Sequence, residues 1–209
     1  MKVAFIVGSP KAKNSTSEKL LQALSDRLPK ADIEWVFTND LSEDDLIDET
    51  SKIPKNDVIV IAFPVYIDSI PSHLLKFLRK LQKACRKSES SARVYCIANC
   101  GFYEPANADV AIDMVKLWIS YSKLVLGRAI ALGAGGIVHG QTIGEGALQN
   151  YGLALDELAS NIMADEGGET LYFTPNISQS QYISDSHKAW ENAAKKRGLS
   201  VKDLRNRFG

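Results

Sequence analysis

The sequence is short of cysteine, of net charge and of long apolar runs, and each shortage narrows what the chain can be. Its three cysteines, Cys85, Cys96 and Cys100, are an odd number without close pairing, which argues against a disulfide framework and for a reducing compartment. Cys96 and Cys100 have a spacing found in some metal motifs, but no other Cys or His lies near them in the chain to complete a site. Cys96 is instead expected in the core, on a strand. Lys plus Arg number 25 and Asp plus Glu number 25, so no overall field draws in nucleic acid or anionic lipid. The first apolar run, Val3 to Val7, is too short for the core of a signal peptide, and no stretch approaches a membrane span. A cytoplasmic chain with no nucleic-acid or membrane partner is expected. There is no repeat of 20 to 50 residues and no low-complexity linker.

What the sequence does contain is an alternation of short apolar strands and amphipathic helices. The 209 residues are 45% apolar, enough for one domain with a sizeable core and an appended tail. Lys2 to Val7 reads as a buried strand that stops at Gly8-Ser9-Pro10. From Thr16 the period changes, and Leu20, Leu21, Leu24 and Leu28 make one helical face before Pro29. Ile33 to Phe37 is a second strand, and the acidic stretch from Asp40 to Glu49 is a short helix or a loop. Val58 to Phe63 is apolar at every position, as expected of a strand covered on both faces. Pro71 opens a helix with Leu74, Leu75, Leu78 and Leu81 at helical spacing. Arg93 to Ala98 is a fourth strand. A helix from Ala106 to Val125 follows, with Val110, Met114, Trp118 and Val125 inward. Ala129 to Leu132 is a fifth strand, running into Gly133 to Gly136. A last long helix, Gly146 to Ala164, points Leu148, Tyr151, Leu155, Leu158 and Ile162 one way.

Five such strands predict an α/β fold: a parallel sheet in the order 2-1-3-4-5 with helices on both faces. Residues 1–165 form this domain, and residues 166–209 form a C-terminal extension packed on it or on a partner subunit. Ligands in this architecture bind beyond the carboxyl ends of the strands, beside the point where strand order reverses. The loops after strands one, three and four are therefore the ones to inspect.

The first loop, Ser9 to Thr16, suits a phosphate. Its hydroxyls and amide donate hydrogen bonds, the helix behind it offers free N–H groups and a positive dipole end, and Lys11 or Lys13 adds charge. It fits neither the Walker A nor the G-x-G-x-x-G pattern. The competing reading is that Asn14, Ser15 or Thr16 simply caps the helix. The second loop, Phe63 to Pro71, brackets Tyr66 between two prolines and offers a flat apolar wall with backbone N–H groups, as a flavin ring requires. Against that, Tyr66 reads equally as an ordinary core or interface aromatic. In the third loop, Gly101 permits close backbone approach to a ligand, and Phe102 or Tyr103 can cover it.

These residues resemble the NADPH-dependent FMN reductase branch of the flavodoxin-like superfamily. Ser9-Pro10-Lys11 and Asn14-Ser15 follow the family's phosphate loop. Pro64, Tyr66, Ile70, Pro71 and Lys76 match its second loop and the helix after it, and Asn99, Gly101, Phe102 and Glu104 resemble its third. The resemblance spans residues 1 to 165. It departs from the family at Lys11, where an Arg is usual, at Asp68, where a Gly is common, and in lacking the cysteine cluster of iron–sulfur relatives.

The resemblance implies an FMN-dependent NAD(P)H oxidoreductase that passes hydride or electrons from a nicotinamide to a flavin, quinone or other small acceptor. Ser9, Lys11, Asn14, Ser15 and Thr16 would hold the FMN phosphate. Pro64, Val65, Tyr66 and Ile67, with Asn99, Cys100, Gly101 and Phe102, would wall the ring, and no side chain need act as acid or base. Two alternatives stay open: an electron carrier without NAD(P)H activity, and a binding domain that has lost FMN. The neutral charge balance and the tail favour the reductase over a carrier. A homodimer or higher homo-oligomer is expected, with Tyr172, Phe173, Trp190 and Leu199 at the contact.

Overall fold

The computed structural model describes residues 1–11, 13–39, 41–200 and 202–203. Ala12 of the first loop and Asp40 of the acidic stretch lie outside the described residues. The chain forms two compact units, Met1–Asn176 and Ile177–Gly209. The second contains one long helix, Gln179–Lys196, capped by the Ser178 hydroxyl, which accepts from the Gln181 N–H.

The first unit is an α/β sandwich around one parallel sheet. Its strands are β1 (Lys2–Val7), β2 (Asp32–Phe37), β3 (Val58–Pro64), β4 (Arg93–Asn99), β5 (Val125–Leu132) and β6 (Leu171–Phe173). They lie in the order β2-β1-β3-β4-β5-β6. The sheet thus has six strands where the sequence reading expected five. β6 adds to the β5 edge, Ile130 opposite Leu171 and Leu132 opposite Phe173. Three half-covered residues on an edge leave no alternation long enough to read.

The helices are α1 (Thr16–Ser25), α2 (Glu43–Lys52), α3 (Ser72–Ser88), α4 (Asp109–Ser122) and α5 (Gln149–Ala164). α1 and α5 cover one face, over Val3, Phe5, Val7, Val58, Val60 and Ala62. α2, α3 and α4 cover the other, over Ala4, Ile6, Ile59, Ile61 and Phe63. Alternate residues of β1 and β3 thus feed two cores, which is why those strands are apolar throughout. Each fully buried Val, Ile or Phe contributes about 1.5–3 kcal/mol from its removal from water.

α4 turns differently from its expected face. Ala111, Ile112, Val115, Trp118 and Ile119 point inward, while Val110 is exposed and Val125 opens β5. The near-continuous apolar run from Val110 to Ile119 fits several helical faces; Trp118 belongs to both the expected and the observed one, its indole donating to the Leu78 carbonyl at 2.8 Å.

Candidate functional site

β1 sits between β2 and β3, so the strand order reverses there and a crevice opens beyond its carboxyl end. Gly8 turns the chain out of the sheet, its N–H donating to the Ala62 carbonyl at 2.8 Å. A Cβ on Gly8 would stand 2.6 Å from Leu74 Cδ2 and 3.1 Å from Phe63 Cβ, so the close crossing of α3 demands glycine. The loop then reaches Ser15, the N-cap of α1. The Ser15 hydroxyl accepts from the Glu18 N–H at 3.0 Å, and the Ser15 N–H donates to Glu18 Oε2 at 3.3 Å. This capping box leaves the N–H groups of Thr16 and Ser17, in the first turn, without an acceptor among the described residues. Ser9 Oγ accepts from the Lys11 N–H at 3.2 Å, and Lys11 Nζ donates to the Asn14 carbonyl at 3.0 Å. Hydroxyls, free amides, a helix N-terminus and an ammonium group converge here, which is the chemistry a phosphate needs.

The second loop is a two-residue hairpin. Tyr66 and Ser69 exchange backbone hydrogen bonds of 3.1 and 3.2 Å, and Ile67 and Asp68 between them have φ of 50° and 57°, as a type I′ turn requires. Asp tolerates this backbone. Ile67 is β-branched and strained there, at roughly 1–2 kcal/mol. The Val65 N–H donates to the Asn99 carbonyl and the Tyr66 N–H to Ser69, so neither is left for a ligand. The amides of Ile67 and Asp68 have no acceptor among the described residues.

The third loop is fixed from below. The Asn99 side-chain amide donates to Ser17 Oγ at 3.1 Å and to the Phe63 carbonyl at 2.9 Å, tying β4 to α1 and β3. The Cys100 N–H donates to the Leu132 carbonyl, and the Gly135 N–H to the Cys100 carbonyl. Burial pushes the Cys100 thiol above its ordinary pKa, so at neutral pH it is an uncharged wall and not a nucleophile. Cys96 lies buried in β4, its thiol pushed up to about 12 by burial.

Together these loops line an open cleft with a cavity volume of about 240 Å³. Of the residues expected in the site, Ser9, Lys11, Ser15, Thr16, Pro64, Val65, Tyr66, Asn99, Cys100 and Gly101 line it. Three do not. Asn14 is exposed, with φ 54°, Ile67 is 98% exposed at the hairpin tip, and Phe102 is 63% exposed. The lining also holds Ser17, Gly135, Gly136 and His139, which the sequence reading did not single out. The last three follow β5, brought over α1 by a short 3-10 turn, Gly135–Val138. Thr16 Oγ1 joins the segments, lying 3.2 Å from the Gly135 carbonyl and 3.4 Å from His139 Nε2. The run of small residues after the fifth strand was the available signal.

An FMN phosphate fits the first loop, and the glycines supply a further test. A Cβ on Gly101 or Gly136 would meet no atom of the described residues within 4 Å, its own chain neighbours aside. Neither has a left-handed backbone, so nothing in the protein requires glycine at either place. A flat group lying against the backbone would require it at both.

A sequence model of the family described as NADPH-dependent FMN reductase matches residues 1–136. No curated protein matches the chain. Among solved structures, the chain is similar to an NADH:FMN oxidoreductase in its apo form, with TM-score 0.60 and 17% identity over 80% of this chain and 91% of that one. It is similar to an NADPH-quinone reductase from P. pentosaceus, with TM-score 0.57 and 16% identity over 76% and 98%. It is also similar to an FMN-dependent NADH-azoreductase from Bacillus anthracis in complex with FMN, with TM-score 0.52 and 15% identity over 77% and 98%. At such identities the likeness is one of fold.

Proposed function

The chain belongs to the NADPH-dependent FMN reductase family and is an FMN-dependent NAD(P)H oxidoreductase, and from that premise we propose that the cleft beyond β1, β3 and β4 holds the FMN. The observation that carries this is the pairing of an anion-binding loop with two glycines open to the same cleft. Ser9, Lys11, Ser15 and Thr16 would hold the phosphate, with the Thr16 and Ser17 amides as donors and the α1 dipole aiding them. Pro64, Val65 and Tyr66 on one side, and Cys100 and Gly101 on the other, would bound the ring. The Ile67 and Asp68 amides are the donors left for its polar edge.

FMN held there would supply the redox chemistry between a nicotinamide and an acceptor. The protein's share is to bind, orient and exclude water. The neutral Cys100 thiol and the apolar Pro64–Val65 wall lower the local dielectric without adding a charge of their own. Tyr66, half exposed, offers a face against which the nicotinamide or acceptor ring can lie.

The acceptor proposed is a small molecule, which could lie against the half-exposed Tyr66 that lines the cleft. The cytoplasm is proposed as the compartment, supported by three free cysteines. No described helix is long and apolar enough to cross a membrane. A homodimer is proposed, and its support lies on α4. Val110, Leu117 and Tyr121 recur there at helical spacing and are exposed, whereas Phe173 packs against its own core.

The test is spectroscopic. Protein reconstituted with FMN and treated with NADPH or NADH without oxygen is expected to lose its flavin bands. Bound flavin that stays oxidised with both nucleotides would overturn the reductase reading.

A further inference from the structure

His139 is the one imidazole in the cleft lining. It stands at the end of the 3-10 turn Gly135–Val138, on a segment whose neighbour is α1. The Thr16 hydroxyl has one proton, and the nearer acceptor is the Gly135 carbonyl at 3.2 Å. With the hydroxyl proton assigned to that carbonyl, the hydroxyl accepts at its 3.4 Å contact with His139 Nε2, and the neutral ring is assigned the tautomer with its proton on Nε2 and Nδ1 as the base. The charged groups acting on the ring are Lys19 of α1 and Lys11 of the phosphate loop, both cations. Burial and then these two ammonium groups hold the imidazole below its ordinary value, so it is neutral at pH 7.

That is a notable state for a ring beside an anion site. Burial and Lys19 act on the ring more strongly, but part of the field comes from Lys11, which lines the cleft, and a dianion placed among Ser9, Lys11, Ser15 and Thr16 would oppose it. Resting on the assignment of this cleft to FMN, we propose that His139 is a phosphate-binding residue that takes up a proton from solvent at Nδ1 when the FMN phosphate binds. The neutral ring becomes an imidazolium, and Nε2 remains the donor toward Thr16. No electron moves and no covalent bond forms or breaks apart from that N–H. The consequence is a binding affinity linked to pH. FMN binds more tightly as pH falls from 8 to about 6.5, a window in which its phosphate is still mostly dianionic. Riboflavin, with the same ring and no phosphate, shows no such slope.

The experiment is an NMR titration of the histidine ring resonances in the full chain, alone and with FMN, riboflavin or inorganic phosphate. His73 and His187 serve as internal references. FMN is expected to raise the His139 midpoint by about one unit or more, inorganic phosphate to raise it in the same direction, and riboflavin to leave it in place. His139→Gln, which retains a donor for Thr16 but cannot titrate, is expected to bind FMN with the pH slope removed. FMN bound with the imidazole unmoved, an equal rise with riboflavin, or a slope that survives in His139→Gln would each overturn this proposal alone. Failure of both flavins to bind would overturn the cleft assignment and the proposal with it.

Discussion

The two edges of the sheet invite comparison, because size and chemistry point opposite ways. At the amino edge a groove of about 650 Å³ is bounded by Met1, residues 54–58, residues 88–93, Val125, Ile162, Met163 and Asp165, against a cavity of about 240 Å³ at the carboxyl edge. Three charged residues lining the larger space, Arg93, Asp165 and Asp57, have partners. Arg93 Nε meets Asp165 at 2.7 Å, and the Lys2 N–H donates to Asp57 at 2.7 Å. The smaller one has backbone donors without acceptors among the described residues and two glycines whose Cβ position is open.

Left-handed residues divide the same way. Glu89, Lys123 and Asp165 end α3, α4 and α5 with their N–H groups turned back onto the last carbonyls, the ordinary way to stop a helix. Asn14, Ile67, Asp68 and Ala134 are also left-handed, yet they lie in the carboxyl-edge loops where no α-helix end calls for it. Strain that ends no α-helix, beside polar groups that satisfy nothing, marks a place shaped for something else. Volume alone does not.

The largest effect that would break this contrast is at Gly8. Gly8→Val is expected to destabilise the chain by about 1–3 kcal/mol or more, because its side chain has only Leu74, Phe63 and the Ala62 carbonyl to displace; urea unfolding checks it. Lys11→Ala is expected to weaken FMN about tenfold, which is about 1.4 kcal/mol, and to leave riboflavin unchanged. Equal losses for both flavins, measured by fluorescence quenching, would move the phosphate away from this loop. Ile67→Gly is expected to stabilise the fold by up to about 1 kcal/mol, since glycine takes φ near 50° without penalty. A lowered melting temperature would show that the turn is not strained.

The smallest expected effect is at the amino edge. The Arg93 guanidinium holds the Asp165 carboxyl below the usual value. A depressed folded-state pKa contributes stability that is present above the unfolded value and lost as pH falls through the folded one. Asp165→Asn should therefore lower the melting temperature slightly at pH 7 and leave it unchanged well below pH 3.8, the ordinary value.

The sequence was most legible where one physical demand dominates. β3 had to be apolar at every position, and α5 shows its inward face plainly in Tyr151, Leu155, Leu158 and Ile162, with Leu148 just before it, all buried. The start of α1 was legible in the change of period at Thr16 and in the cap candidates Asn14, Ser15 and Thr16, of which Ser15 is the cap. Legibility failed where several arrangements satisfy the same pattern, as on α4, or where an element is too short to have a pattern, as in β6. It failed at His139 for a different reason. Its place in the cleft depends on β5 lying beside β4 and on the chain folding back over α1, a tertiary fact that spacing along the chain does not encode. Asn14 and Phe102 illustrate the converse, being of suitable residue type and exposed.

The claim that the carboxyl edge, and not the roomier amino edge, binds the flavin is tested most directly by placing one bulky side chain at each. FMN would be titrated into the native protein, into Gly101→Val and into Ser91→Trp, with melting temperatures recorded for all three. The account predicts unchanged stability for Gly101→Val with FMN affinity reduced tenfold or more, and native affinity for Ser91→Trp. Native affinity in Gly101→Val with a loss in Ser91→Trp would contradict it.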